Sequence, residues 1–237
     1  MKPFCILKTG TAIAGVPPEW GDFEHWIANM AALADDAWFC CDVSAGAVLP
    51  VFTDISGVII TGSPAMVTDR EPWSERSASW LRTAVARQVP ILGICYGHQL
   101  LAHALGGRVD YHPKGREIGT KAMLGTAAAQ HDLLFQILPA RYTAHTTHSQ
   151  SVLALPSGAT VLAANAFEPH HGVRFAPCAW GVQYHPEFTV PLMSKYLELR
   201  STALRQEGLN LELLQAEVGI TEEASALLPR FVALARS

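Results

Sequence analysis

The sequence predicts a three-layer α/β/α fold, in which a mostly parallel central sheet is covered on both faces and carries antiparallel additions. Three observations predict it. Along the first half, short apolar runs alternate with longer amphipathic ones in the order β-α-β-α-β-α, and such alternation builds parallel sheets sandwiched by helices. From about Gly107 the runs shorten and alternate, the habit of antiparallel strands. Residues of hydrophobic type make up 49 % and charged ones 16 %, against about 25 % charged in an average soluble domain, so the chain can fill a core and is not globally disordered.

The elements follow in order. Phe4-Cys5-Ile6-Leu7 reads as the first strand, and residues 19–34 as a helix with Phe23, Trp26, Ile27, Met30 and Leu33 at helical spacing. Trp38-Phe39-Cys40-Cys41-Asp42-Val43 and the β-branched run Gly57-Val58-Ile59-Ile60-Thr61 are the next strands, the latter ending at Gly62-Ser63-Pro64. Residues 74–88 are helical, with Trp80, Leu81 and Val85 along one side. Pro90-Ile91-Leu92-Gly93-Ile94 is a fully buried strand, and residues 97–105 form a helix. Right-handed crossovers then bring the C-terminal ends of these strands to one edge. Residues 121–127, 142–147, 159–164 and 180–184 supply the antiparallel strands, and residues 191–205 and 221–235 are helical by periodicity. The expectation is one domain over residues 1–237, with a core at about 40–190 and a helical extension at about 190–237.

Composition narrows the function. Seventeen basic and 21 acidic side chains give a net charge of −4, with no Lys/Arg stripe to neutralise phosphates, so no nucleic-acid partner is expected. No run of about 18 apolar residues supports a membrane span, and the opening segment turns polar too soon for a secretory signal. Five cysteines without zinc-like or disulfide-like spacing fit a reducing cytoplasm. Cys5, Cys40, Cys41 and Cys178 sit among apolar neighbours and are expected to be small buried hydrophobes.

Cys95 differs. Gly93-Ile94-Cys95-Tyr96-Gly97 has the form Gly-x-nucleophile-x-Gly at a strand-to-helix junction. A sharp turn there lifts the reactive side chain above the sheet, and the glycines remove Cβ atoms that would collide with neighbouring backbone. At a helix N-terminus the thiolate is favoured, and the Tyr96 N–H is available to an oxyanion. The competing reading is a structural cysteine beside two turn glycines. A second constellation weighs against it: Gln183-Tyr184-His185-Pro186-Glu187 at a strand end. Side chains two apart in extended chain share a face, so Glu187 can orient His185 and stabilise its imidazolium. Cysteine, histidine and glutamate are the parts of an acyl-transfer triad. The Gly62-Ser63-Pro64 turn could offer the Ser63 N–H as a second oxyanion donor.

Together, Gly93-Ile94-Cys95-Tyr96-Gly97-His98-Gln99 and Gln183-Tyr184-His185-Pro186-Glu187 resemble class I (triad-type) glutamine amidotransferases. Gly62-Ser63-Pro64, Glu117-Ile118-Gly119 and His148-Ser149-Gln150-Ser151-Val152 fall in that family's order. The resemblance covers roughly residues 40–190. It is nearest to the free-standing branch related to the glutaminase domain of GMP synthetase, which includes plant γ-glutamyl peptidases. It implies a flavodoxin-like fold and a glutaminase without cofactor: Cys95 attacks the glutamine amide carbon, His185 serves as base and acid, Glu187 orients it, and Ser63 and Tyr96 form the oxyanion hole. By the same resemblance Gly62, Gln99, Ser149 and Gln150 hold the substrate. Ammonia would pass to a separate synthetase subunit. His148-Ser149-Gln150 replaces the His-Gly-Asp of GMP synthetases, a departure from a true GMP synthetase subunit.

Three other readings stand beside this one. A stand-alone γ-glutamyl peptidase would use the same residues. A catalytically retired regulatory or binding module is disfavoured by intact Cys95, His185 and Glu187. An isopeptidase or deglycase of related elbow-bearing families would draw its base from elsewhere. No Gly-x-x-x-x-Gly-Lys-[Ser/Thr] loop provides for ATP. No metal is expected: His145 and His148 point to opposite faces, His170 and His171 diverge, and no carboxylate completes a ligand set in the sequence pattern.

Overall fold

The computed structural model describes residues 2–237. Strand β1 (Phe4–Lys8) lies between β2 (Trp38–Asp42) and β3 (Gly57–Ile60), followed by β4 (Ile91–Ile94) and β11 (Ala179–Val182), all parallel. The sheet continues antiparallel through β10 (Gly172–Ala176), β9 (Thr160–Ala164), β6 (Glu117–Gly125) and β7 (Arg141–His148), giving nine strands. A separate antiparallel pair joins β5 (Arg108–Tyr111) to β8 (Gln150–Ala154). The expected three layers and the switch from parallel to antiparallel pairing are present. Strands β5, β8 and β10 were not anticipated, because each is a run of only 4 or 5 residues with mixed polarity.

Alternation along the central strands divides the core. Phe4 and Ile6 of β1, Ile59 of β3, and Leu92 and Ile94 of β4 face one side. Cys5, Leu7, Val58, Ile60 and Ile91 face the other. Burial on both faces is why these strands read as continuous apolar runs. The first side is covered by α1 (Phe23–Met30) and α8 (Leu227–Ala235), whose Phe231 ring lies 6.3 Å from Phe4 and 6.4 Å from Trp180. The second side is covered by α2 (Pro72–Ala86) and α3 (Tyr96–Ala104). Helices α4 (Val190–Leu199), α5 (Ser201–Gln206) and α6 (Leu211–Ala216) bury Leu192, Met193, Leu204 and Leu211 against Phe23, Trp26, Ile118 and Phe188. A short α7 (Glu222–Ser225) leads into α8. No helix among the described residues is long and apolar enough to cross a membrane.

Helix α1 is shorter than the periodicity over 19–34 predicts. Gly21 at φ 76° breaks the approach, Asp22 Oδ1 caps the helix by accepting from the Phe23 N–H at 2.7 Å, and Ala32 at φ 53° follows its end. Asp22 has a second task. With Glu24 it pairs Lys8 at the end of β1, each at 2.8 Å. Burial works against the Lys8 charge, but the two carboxylates outweigh it and raise its pKa. Two cysteine expectations fail: Cys40 is exposed and Cys178 only partly buried, while Cys5 and Cys41 are buried as expected.

Candidate active site

The C-terminal ends of β1, β3, β4 and β11 converge on one edge, the usual ligand edge of parallel α/β sheets. Between β4 and α3 the chain turns at Cys95, which holds φ 50° and ψ −100°. That conformation costs a residue with a Cβ of order 1–3 kcal/mol and persists only where its surroundings impose it. Here they do. The Cys95 N–H donates to the Val182 carbonyl at 2.8 Å and the Gly97 N–H to the Thr61 carbonyl at 3.2 Å. A Cβ at Gly93 would lie 2.5 Å from the Gly97 carbonyl carbon, and one at Gly97 would lie 2.7 Å from Ile60. The steric reason read from the sequence for both glycines is therefore met.

Cys95 and His185 line the same recess, with Phe23, Ser63, Thr147 and Arg200. The His185 ring is held from every side. The His185 backbone N–H donates to the His145 carbonyl at 2.8 Å, the ring Nδ1 meets Glu187 Oε1 at 2.7 Å, and the ring stacks on Phe188 at 4.2 Å. Nε2 has no partner among the described residues. Burial pulls the His185 pKa down, but the charges of Glu187 and Cys95, with the Glu187 hydrogen bond, override it and hold it at about 10. Nearby His145, bonded to Thr120 Oγ1 at 3.1 Å, is lowered to about 4 by burial and by His185. One imidazole of the two is thus built to carry charge.

The Ser63 turn is tied down by a hydroxyl network. Ser63 Oγ donates to the Thr9 carbonyl at 2.8 Å and accepts from the Ala65 N–H at 3.1 Å, while Thr9 Oγ1 donates to the Thr61 carbonyl at 3.0 Å. The N–H groups of Ser63 and Tyr96 donate to nothing among the described residues, and both residues line the cavity above Cys95. That arrangement can receive a developing oxyanion.

Gln99, Ser149 and Gln150 line the same cavity. Gln99 Nε2 donates to the Gln150 carbonyl at 2.7 Å and to Gln183 Oε1 at 3.0 Å. Gln150 Nε2 donates to Thr68 Oγ1 at 2.6 Å, leaving its Oε1 buried and unpartnered. Gly62 does not line the cavity. It packs against the His185 ring, where a Cβ would come within 2.9 Å of Cε1.

A buried cluster behind the cavity corrects another expectation. Glu117 Oε2 meets His148 Nε2 at 3.1 Å and His171 Nε2 at 2.9 Å, and Asn165 donates to Oε1 at 2.7 Å. A carboxylate therefore does join two histidines, at positions 31 and 54 residues apart from it in the chain. Burial pushes the Glu117 carboxyl up, but His148 and His171 outweigh this and hold it well below the usual range. His148 Nδ1 also contacts the Gln150 carbonyl at 3.0 Å, so the cluster braces the Ser149–Gln150 backbone. Sequence reasoning marked Glu117 and His148 but not their meeting with His171, and it missed Arg116 and Arg200, which border the cavity. Nothing in their local pattern marks them.

An α/β sheet with a strained cysteine elbow, a histidine–glutamate pair and two free N–H groups defines the class of cysteine-dependent acyl-transfer sites. The family profile described as Glutamine amidotransferase class-I matches residues 42–200, and the chain belongs to that family. It is 40 % identical over 131 residues to GMP synthase [glutamine-hydrolyzing] of Thermomicrobium roseum, covering 55 % of this chain and 23 % of that protein. It is 36 % identical over 132 residues to the Bacillus subtilis protein of the same name, covering 55 % and 24 %. The chain thus spans about a quarter of the length of these relatives. A crystal structure of a glutamine amidotransferase from Thermotoga maritima shares the fold, with TM-score 0.78 and 20 % identity over 99 % of this chain and 98 % of that one. Another, from Methylobacillus flagellatus, matches at TM-score 0.69 and 24 % identity, covering 100 % and 90 %.

Proposed function

We propose that the protein hydrolyses the side-chain amide of glutamine to glutamate and ammonia through a γ-glutamyl thioester on Cys95. The observation that carries this is the shared recess, lined by Cys95 on its elbow and by His185, whose Nε2 has no partner among the described residues. The Cys95 thiolate attacks the amide carbon, and the oxyanion is received by the Ser63 and Tyr96 N–H groups. As the C–N bond breaks, its electron pair and the His185 proton go to the departing nitrogen. Acylation removes the Cys95 charge, one of the two charges that raise His185. The imidazole's pKa then falls, and it can take a proton from the water that hydrolyses the thioester. Glu187 keeps the ring oriented in both steps.

Gln99 and the Ser149–Gln150 segment hold the amino-acid end, with Gln150 Oε1 as a free acceptor for the α-ammonium group. Kinship with GMP synthases supports an ammonia-accepting synthetase as partner, and a free thiol fits a reducing compartment such as the cytoplasm. The test is ammonia release from glutamine by the purified protein, alone and with candidate synthetases. Cys95→Ala and His185→Ala should each abolish it in folded protein. Turnover by Cys95→Ala at the wild-type rate overturns the mechanism.

A further inference from the structure

Glu117, His148 and His171 bring three ligand-type atoms within 4.8 Å of one another, and all three residues are buried. His148 Nδ1 lies 3.0 Å from the Gln150 carbonyl, which can only accept, so Nδ1 carries the ring proton. In the neutral ring Nε2 is then a bare lone pair, 3.1 Å from Glu117 Oε2. Two acceptors face to face repel unless a cation lies between them. A proton on Nε2 is one such cation, and it satisfies His148 and Glu117 alone. His171 is left out. Its Nε2 stands 2.9 Å from the same oxygen, at an angle that makes no hydrogen bond. Neither of its ring nitrogens has a hydrogen-bond partner among the described residues, and the side chain is completely buried. Orphaned polar atoms in a dry site are costly and call for a ligand.

A metal ion answers all three groups at once. Ligands about 2.1 Å from zinc stand about 3.0–3.4 Å apart at angles between square and tetrahedral, so separations of 2.9 and 3.1 Å need only a slight opening. The groups behind these ligands are those that metal sites use. A ligating histidine donates its other ring N–H to a carbonyl, and a ligating carboxylate is itself hydrogen-bonded. His148 Nδ1 does the first. Glu117 Oε1 accepts from Asn165 Nδ2 at 2.7 Å. The Asn165 amide cannot be reversed, because its Oδ1 accepts from the Phe167 and Glu168 N–H groups at 2.8 and 2.7 Å. Two imidazoles and one carboxylate are a nitrogen–oxygen set that suits zinc.

We propose that Glu117, His148 and His171 bind a zinc ion, with a water in the fourth position, and that the ion fixes the wall of the cavity above Cys95. Glu117 opens β6, His148 closes β7 and His171 directly precedes β10, so the ion ties three strand ends together. The link to the cavity is direct in the chain. His148 is followed by Ser149 and Gln150, and Glu117 is preceded by Arg116, all of which line it. Cys95 and His185 are not in the ligand set, so the ion is structural and takes no part in the thioester steps. The site stands whether or not Cys95 hydrolyses glutamine.

The test uses the whole chain carrying Cys95→Ala, so that the elbow thiol cannot capture zinc itself. Purified without chelator, this protein should hold about one zinc per chain by elemental analysis. A chelator should lower its melting temperature and added zinc restore it. His171→Gln in the same background should weaken zinc binding at least about a hundredfold, measured by competition with a chromophoric chelator. A second readout needs no ligand variant and so survives a variant that fails to fold. With cobalt in place of zinc, proton NMR of Cys95→Ala should show far-shifted, exchangeable N–H signals from two imidazoles, those of His148 and His171. Protein that neither holds zinc nor gains melting temperature on its addition overturns the proposal and leaves a His148 imidazolium against Glu117. Unchanged zinc affinity in folded His171→Gln overturns it too, as does a cobalt spectrum without the two shifted N–H signals. Glutamine hydrolysis enters none of these readouts, so their failure leaves the thioester reading standing.

Discussion

Glu187→Gln isolates the charge that the account assigns to Glu187. The substitution keeps the size of the side chain that meets His185 Nδ1 at 2.7 Å and removes its charge. In the wild type His185 stands at about 10 against an ordinary 6.5, despite complete burial. An opposite charge at hydrogen-bond range shifts a pKa by about 1–3 units. Loss of Glu187's charge should therefore lower His185 by about 2 units, equivalent to about 2.7 kcal/mol of preference for the imidazolium. The new amide can also turn its NH2 toward Nδ1, which places the imidazole proton on Nε2, where it cannot accept one. Together these effects should cut kcat by about a hundredfold or more. The assay is an NMR titration of the His185 ring beside ammonia-release kinetics. The linkage sign adds a check. A raised folded-state pKa contributes stability that is complete below the unfolded value near 6.5 and is lost as pH climbs through about 10. In Glu187→Gln that alkaline loss should therefore finish at a lower pH. An unchanged His185 titration in the variant would refute the reasoning.

Three other outcomes follow from the same geometry. Gly97→Ala places a Cβ 2.7 Å from Ile60; it should destabilise by about 1–3 kcal/mol in a denaturant melt and depress turnover by displacing the elbow. Ser63→Ala keeps the N–H but loses the hydroxyl bonds to Thr9 and Ala65. About 1 kcal/mol of lost ordering should lower kcat about fivefold with KM little changed, and an unaltered kcat would show the tether is idle. Glu117, held below its ordinary 4.5, contributes stability above that pH that is lost as pH falls through the folded-state value. Urea melts at about pH 5 and about pH 3 should show a smaller acid loss in Glu117→Gln than in wild type, and equal losses would remove that role from the cluster.

How much of this was legible in the sequence depends on the distance over which each signal acts. The central strands announced themselves because burial on both faces demands unbroken apolar runs, and the elbow did so because two glycines must flank one cysteine within five residues. His185 and Glu187 were legible for the same local reason. The length of α1 was misjudged because apolar spacing continues past the points where Gly21 and Ala32 break the helix. The fit of Gly62 against the His185 ring was not legible, because that neighbour lies more than a hundred positions away. Glu117 and His148 were marked by the resemblance, but their meeting with His171 was not, and neither was Arg200, since contacts between residues so far apart in the chain are encoded by no spacing rule.

The claim that Cys95 carries the γ-glutamyl group is tested most directly by covalent capture. A chloroketone analogue of glutamine should add one mass increment, mapped to Cys95, with loss of turnover in parallel and protection by glutamine. Cys40, the exposed thiol, should stay free at the same dose. Complete inactivation with the increment on another cysteine and Cys95 unmodified would contradict the account.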